Sequence, residues 1–190
     1  MPDDGDVPPA PSMPDGVDGL RAALPGYARD LRADLAAVVG GSGLSEQQLW
    51  GTLLVTAIAS RSPRVLAELG PAAKARLSAH AWTAARQTAS RMVMNNVYHR
   101  TLHLLGDEAY GRLRVGLRTK AIGSPGVARA DVELWSLAVS AVNGCGVCLD
   151  AHERELRECG VGRETVQAAI RVAAVVQAAA VTLEAEPYLS

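Results

Sequence analysis

The sequence predicts an all-α fold, and three observations carry that expectation. Apolar residues recur at three- and four-residue steps through most of the chain, the spacing that lays them on one face of a helix. Alanine is abundant and phenylalanine is absent, which suits closely packed helices. Helix punctuation is dense: Ser45-Glu-Gln-Gln48 reads as a capping box, with Ser45 bonding a first-turn amide and Gln48 reaching back. The 190 residues are enough for one domain with a sizeable core.

Taken in order, residues 1–18 hold Pro2, Pro8, Pro9, Pro11 and Pro14 among acidic and small residues, and are expected to be a disordered tail. Residues 19–190 are expected to form the helical domain. Leu20 to Val39 reads as a helix with an early break at Pro25. Gly40-Gly-Ser-Gly43 is a loop, after which the capping box opens a helix reaching Ser60. Pro63 starts another helix that ends near Gly70, and Pro71 is expected to restart the chain into Ala72–Leu77. Ser78 caps a long helix through Met94 and on towards Leu105. Gly106 to Gly116 is short and mixed, and Gly123-Ser-Pro-Gly126 is a loop. Helices follow over Asp131–Val142, Gly146–Glu158 and Arg163–Glu184. The last is apolar on nearly every face, so it is expected to be buried between helices or at a subunit interface.

Two helices open alike, on Gln48-Leu-Trp-Gly and on Glu133-Leu-Trp-Ser, and each is followed by a break and a shorter helix. One reading is a pair of related helical units of which only the second carries reactive groups, with Ser60 standing where Cys145 does. The other is coincidence among Ala-rich helices.

Net charge is −1, with 21% charged and 48% hydrophobic residues. That balance gives no reason to expect nucleic acid or an anionic membrane surface as partner. The N-terminus is acidic and Pro-rich, unlike a secretory leader. The most apolar run, Val172 to Leu183, is shorter than the roughly 20 residues that span a bilayer. A cytoplasmic protein is expected, where a Cys-x-x-Cys pair points to redox or metal chemistry rather than a structural staple.

The chemistry gathers in the stretch from Glu133 to His152. Asn143-Gly144 breaks the helix before Cys145, so Cys145 and Cys148 fall at the N-terminus of the next one. There the unpaired N–H groups and the helix dipole stabilise a thiolate, the reactive form of cysteine. Cys148 and His152 are four residues apart and share a helix face, so the imidazole can accept the thiol proton or hold the thiolate as an ion pair. Glu133 can reach His152 if the two helices fold back on one another. A structural zinc site is the competing reading, but it needs about four ligands; Cys145, Cys148 and His152 would supply three, with Glu133 a less usual fourth. Cys159 reads as a small packing residue. His99 and His103 read as a solvent-facing or satisfied pair, His80 as a helix-surface residue, and Trp50 and Trp135 as core or interface anchors. Asn95-Asn96 is unusual within a helix, and one of the two is expected to bond across to another helix.

The block Glu133-Leu-Trp-Ser…Asn-Gly-Cys-x-x-Cys-x-x-x-His resembles the AhpD family of alkyl hydroperoxidases, in the carboxymuconolactone-decarboxylase-like superfamily. So do Leu-Pro-Gly-Tyr-Ala from Leu24, Gln48-Leu-Trp-Gly-Thr-Leu-Leu and Met94-Asn-Asn-Val. The likeness runs from about Gly19 to Glu186. It implies a compact all-helical subunit, usually a homotrimer, that reduces organic hydroperoxides and binds no cofactor. It also implies service as the reducing adaptor of an AhpC-type peroxiredoxin, with electrons from dihydrolipoamide on a dehydrogenase complex. The family's glutamate, two cysteines and distal histidine fall on Glu133, Cys145, Cys148 and His152. Cys148 would attack the peroxide and pass through a sulfenic acid. Cys145 would supply a proton and then close the disulfide, with Glu133 and His152 as proton relay. One position departs: relatives carry a second histidine directly before the second cysteine, where this chain has Val147. An electron-transfer adaptor with little peroxidase activity of its own is the alternative from another class, since the same cysteines would serve it.

Overall fold

A computed structural model describes residues 16–119 and 125–189. Among these, nine α-helices are present: α1 Gly16–Ala23, α2 Arg29–Gly40, α3 Glu46–Ser60, α4 Pro63–Arg76, α5 Ala79–Leu105, α6 Glu108–Gly111, α7 Arg129–Val142, α8 Gly146–Glu158 and α9 Arg163–Ala185. The expected all-α class holds.

Local chemistry accounts for the boundaries. Ser45 Oγ accepts from the Gln48 amide while Gln48 Oε1 accepts from the Ser45 amide, completing the capping box of α3. Ser62 caps α4 with Pro63 as its first residue, and Ser78 caps α5. The break at Pro25 is complete: a short 3-10 turn, Gly26–Ala28, separates α1 from α2. Gly16 to Asp18, assigned to the tail on composition, begin α1, because Val17 and Leu20 bury against α4. The remaining tail residues, and Gly123-Ser124 of the expected loop, lie outside the described residues.

Pro71 does not restart the chain. It sits inside a continuous α4. Proline removes one intrahelical hydrogen bond, yet Val65, Leu69 and Ala73 are fully buried at four-residue steps across it. Packing of that stripe outweighs the local preference.

The core is built on α3, α7 and α9. Trp50 and Trp135 are both buried in it, as expected of anchors. A Cβ on Gly51 would lie 2.2 Å from the Trp135 indole, so the glycine makes room for the ring. The indole Nε1 donates to the Gln48 carbonyl at 3.4 Å. The short apolar run Val172–Leu183 lies within the longer α9, and the span Arg163–Tyr188 is, by length and composition only, long and apolar enough to cross a membrane. It instead buries Val172, Val176, Ala179 and Leu183 against neighbouring helices, packing on α2, α3, α4 and α7.

The hint of repetition has a counterpart in the packing. The triplets α3–α4–α5 and α7–α8–α9 each have a first helix that touches both others of its set. The first helices pack on one another, α3 lies on α9 as α7 lies on α5, and α4 touches α9 as α8 touches α5. The site sits where the second triplet meets α5.

Candidate functional site

The break between α7 and α8 places the cysteines. Gly144 takes the left-handed conformation at φ 65°, and the Cys145 amide bonds back to the Ser140 carbonyl at 3.0 Å, a helix-ending pattern that glycine favours. Of the Asn143-Gly144 pair, only the glycine is left-handed; Asn143 stays right-handed. Its side chain donates to Asn96 Oδ1 at 3.1 Å, and its carbonyl accepts from Arg100, tying the turn to α5. Asn96 also donates to Ser140 Oγ at 3.0 Å, the cross-helix bond expected of one member of the Asn pair.

Cys145 is the N-cap of α8 and Cys148 lies in its first turn, the position that favours a thiolate. The two are joined as a disulfide, with Cα atoms 5.3 Å apart. Cys145 is fully buried, while Cys148 is 5% exposed and lines a cavity. Among the described residues, no group of three His, Cys, Asp or Glu side chains is arranged to hold a metal ion.

His152, one turn beyond Cys148, lines the same cavity. Its Nδ1 lies 2.7 Å from Glu133 Oε2, and both side chains are largely buried. An ionised carboxylate only accepts, so this bond uses an Nδ1 proton and leaves Nε2 outside it. The fold-back needed for Glu133 to reach the histidine is thus made, and all four sequence-predicted residues meet in one place.

The cavity is about 210 Å³ and lies between α5 and α8, with Met92, Asn95 and His99 on one wall and Val147, Cys148, Ala151 and His152 on the other. Asn95 is anchored by donating to the Thr119 carbonyl at 2.9 Å, while its Oδ1 has no partner among the described residues. An adjoining cleft of about 610 Å³ is lined by Arg91, Arg129, Glu133, His152 and Glu155, among others. Arg129 and Glu155 pair there. Burial pushes the Arg91 guanidinium below its ordinary value, and the negative charge of Glu133 works in the opposite direction.

Two sequence expectations are corrected. His99 was expected to be solvent-facing or satisfied, but it is half-buried and lines the cavity of Cys148, because α5 packs against α8. Cys159 was expected to pack, but it is exposed and free: it is the C-cap of α8, off the side of the helix that buries Leu156. His80 is exposed, as expected. Arg91, Asn95 and His99 went unassigned to the site. Their four-residue spacing puts them on one face of α5, but only the contact with α8 distinguishes that face.

The sequence profile of the Carboxymuconolactone decarboxylase family matches residues 108–189. The chain is 60% identical to a protein of Streptomyces griseus named Alkyl hydroperoxide reductase AhpD, over 92% of this chain and 98% of that one. A protein of the same name from Frankia alni is 65% identical, over 87% of this chain and 90% of its own. Another, from Rhodococcus erythropolis, is 51% identical over 92% and 97%.

Proposed function

The chain belongs to the AhpD family, and on that premise we propose that it is a dithiol alkyl hydroperoxidase that also regenerates an AhpC-type peroxiredoxin. The observation that carries this reading is the joining of a Cys145–Cys148 disulfide to a Glu133–His152 pair in one buried cluster at a helix N-terminus. In the reduced protein, His152 and the α8 terminus hold Cys148 as the thiolate. The thiolate attacks the distal oxygen of an organic hydroperoxide. The O–O bond breaks, its electron pair leaves on the alkoxide, and Cys148 becomes a sulfenic acid. Cys145 supplies the proton that turns the alkoxide into an alcohol. Its sulfur, now a thiolate, then displaces hydroxide from the sulfenic acid and closes the disulfide, and the hydroxide leaves as water with the proton that His152 took from Cys148. Glu133 and His152 relay protons through these steps.

A dithiol reopens the disulfide by exchange, and dihydrolipoamide on a dehydrogenase complex fits the role as a slender thiol donor. Exchange at Cys148 serves it best, because that sulfur lines a cavity whereas Cys145 is enclosed. The apolar residues Met92, Val147 and Ala151 around it suit an organic rather than an inorganic peroxide. The same cysteine carries electrons to the peroxiredoxin. A cytoplasmic homotrimer is part of the reading. Support for self-association comes from exposed apolar side chains on one stretch: Leu104, Leu105, Tyr110, Leu113, Val115 and Leu117.

The test is consumption of cumene hydroperoxide with excess dihydrolipoamide, comparing wild type with Cys148→Ser and Cys145→Ser. Wild-type turnover lost in both variants is the expected result. No wild-type turnover, with intact reduction of a peroxiredoxin disulfide, would replace the hydroperoxidase reading with that of an electron-transfer adaptor.

A further inference from the structure

The Cys148 cavity has two facing walls, and the thiol chemistry uses only the one on α8. On the α8 wall stand Cys148 and His152. On the α5 wall the polar side chains are Asn95 and His99. Asn95 commits its amide nitrogen to the Thr119 carbonyl. Its unpartnered Oδ1 only accepts and cannot meet developing negative charge. His152 is held through Nδ1 by Glu133. His99 is different: its ring packs edge-on to Tyr98 at 5.3 Å between centroids, and no hydrogen bond to its nitrogens is made among the described residues. An imidazole carries at least one N–H whatever its protonation state. Among the described residues, His99 is therefore the uncommitted side-chain donor of the cavity.

Displacement at oxygen is in-line, so the leaving oxygen sits on the side of the attacked oxygen away from the nucleophile. With Cys148 on α8, that side is α5. We propose that His99 is a catalytic residue that donates a ring N–H to the proximal, leaving oxygen of a hydroperoxide bound in this cavity. The inference rests on the hydroperoxidase reading above. Electron flow is unchanged: the Cys148 thiolate gives its pair to the distal oxygen, the O–O pair passes to the proximal oxygen, and the proton still originates at Cys145 and travels by the Glu133–His152 relay. His99 meets the negative charge as it grows and helps to aim the O–O bond along the line of attack. Together with Val147, it also separates the Cys148 cavity from a second one of about 360 Å³ lined by Leu102, His103, Asp107 and Glu108. The organic group of the substrate extends past these two residues.

The test is rapid mixing of pre-reduced full-length protein with cumene hydroperoxide, followed by closure of the disulfide. His99→Phe keeps an aromatic ring without an N–H and is expected to slow oxidation roughly 10- to 100-fold, at or below the usual effect of losing one transition-state donor. His99→Gln restores an N–H and should recover a large part of the rate. Reduction of the disulfide by dihydrolipoamide should be unchanged in both variants, which separates this role from a structural one. Oxidation of His99→Phe at the wild-type rate would overturn the inference alone, as would an equal fall in oxidation and reduction. A wild type that does not react with peroxide would remove the hydroperoxidase reading, and this inference with it.

Discussion

Replacing Glu133 by glutamine isolates the contribution of its charge. The side chains are nearly isosteric, and both Glu133 and His152 are mostly screened from solvent, at 13% and 19% exposure. The 2.7 Å bond to Nδ1 is therefore not diluted by water as a surface pair would be. A hydrogen bond to a charged group contributes about 1.5–3 kcal/mol, against about 0.5–1.5 for a neutral one. Glu133→Gln keeps an acceptor but loses the charge that stabilises the imidazolium formed when His152 takes the Cys148 proton. The difference, on the order of 1–2 kcal/mol, corresponds to a rate loss of roughly 5- to 30-fold. The assay is the second-order oxidation of pre-reduced protein by cumene hydroperoxide across neutral pH, with thermal unfolding as a control for folding. The variant should be slowed by that factor while its melting temperature moves by only a few degrees. Oxidation within twofold of wild type, with the fold intact, would refute the claim that the carboxylate acts through His152.

Gly51→Ala should destabilise the fold by about 1–3 kcal/mol in urea unfolding, because the new methyl group meets the Trp135 indole within a packed core. Asn96→Leu should cost about 1–3 kcal/mol by the same measurement, since Ser140 and Asn143 lose buried partners. It should also loosen the turn ahead of Cys145, seen as faster reduction of the disulfide by a fixed concentration of dithiol. In the oxidised native protein, a thiol reagent should titrate Cys159 alone, and Cys159→Ser should remove that signal without changing peroxide turnover.

The elements legible in the sequence were those set by local chemistry. Ser45, Ser78 and Pro63 fixed helix starts because caps act over three or four residues. The Glu133, Cys145, Cys148 and His152 set could be assembled because all four lie on two consecutive helices with a short break between them. Pro71 was misjudged because its local cost is outweighed by a buried stripe that only α3 and its neighbours create. His99 was missed for the same kind of reason. Nothing within α5 marks it, and its meaning comes from a wall supplied by α8. Cysteines pack on average, which predicts a buried Cys159, whereas its place at a helix end puts it in solvent.

The interleaving of the two helix triplets bears on how the chain emerges from the ribosome. Most of α3 is buried, yet two of the helices that cover it, α7 and α9, are synthesised long after it. The helices α4 and α5 cover part of α3 early, but the surface that α7 and α9 occupy stays open until they are made. Neither half can complete its core alone, so the molecule gains stable tertiary structure only when nearly the whole chain is available. The nascent first half thus exposes apolar surface of the kind that holding chaperones cover. The thiols, carried on the late-made half, acquire their enclosed setting only in that final collapse.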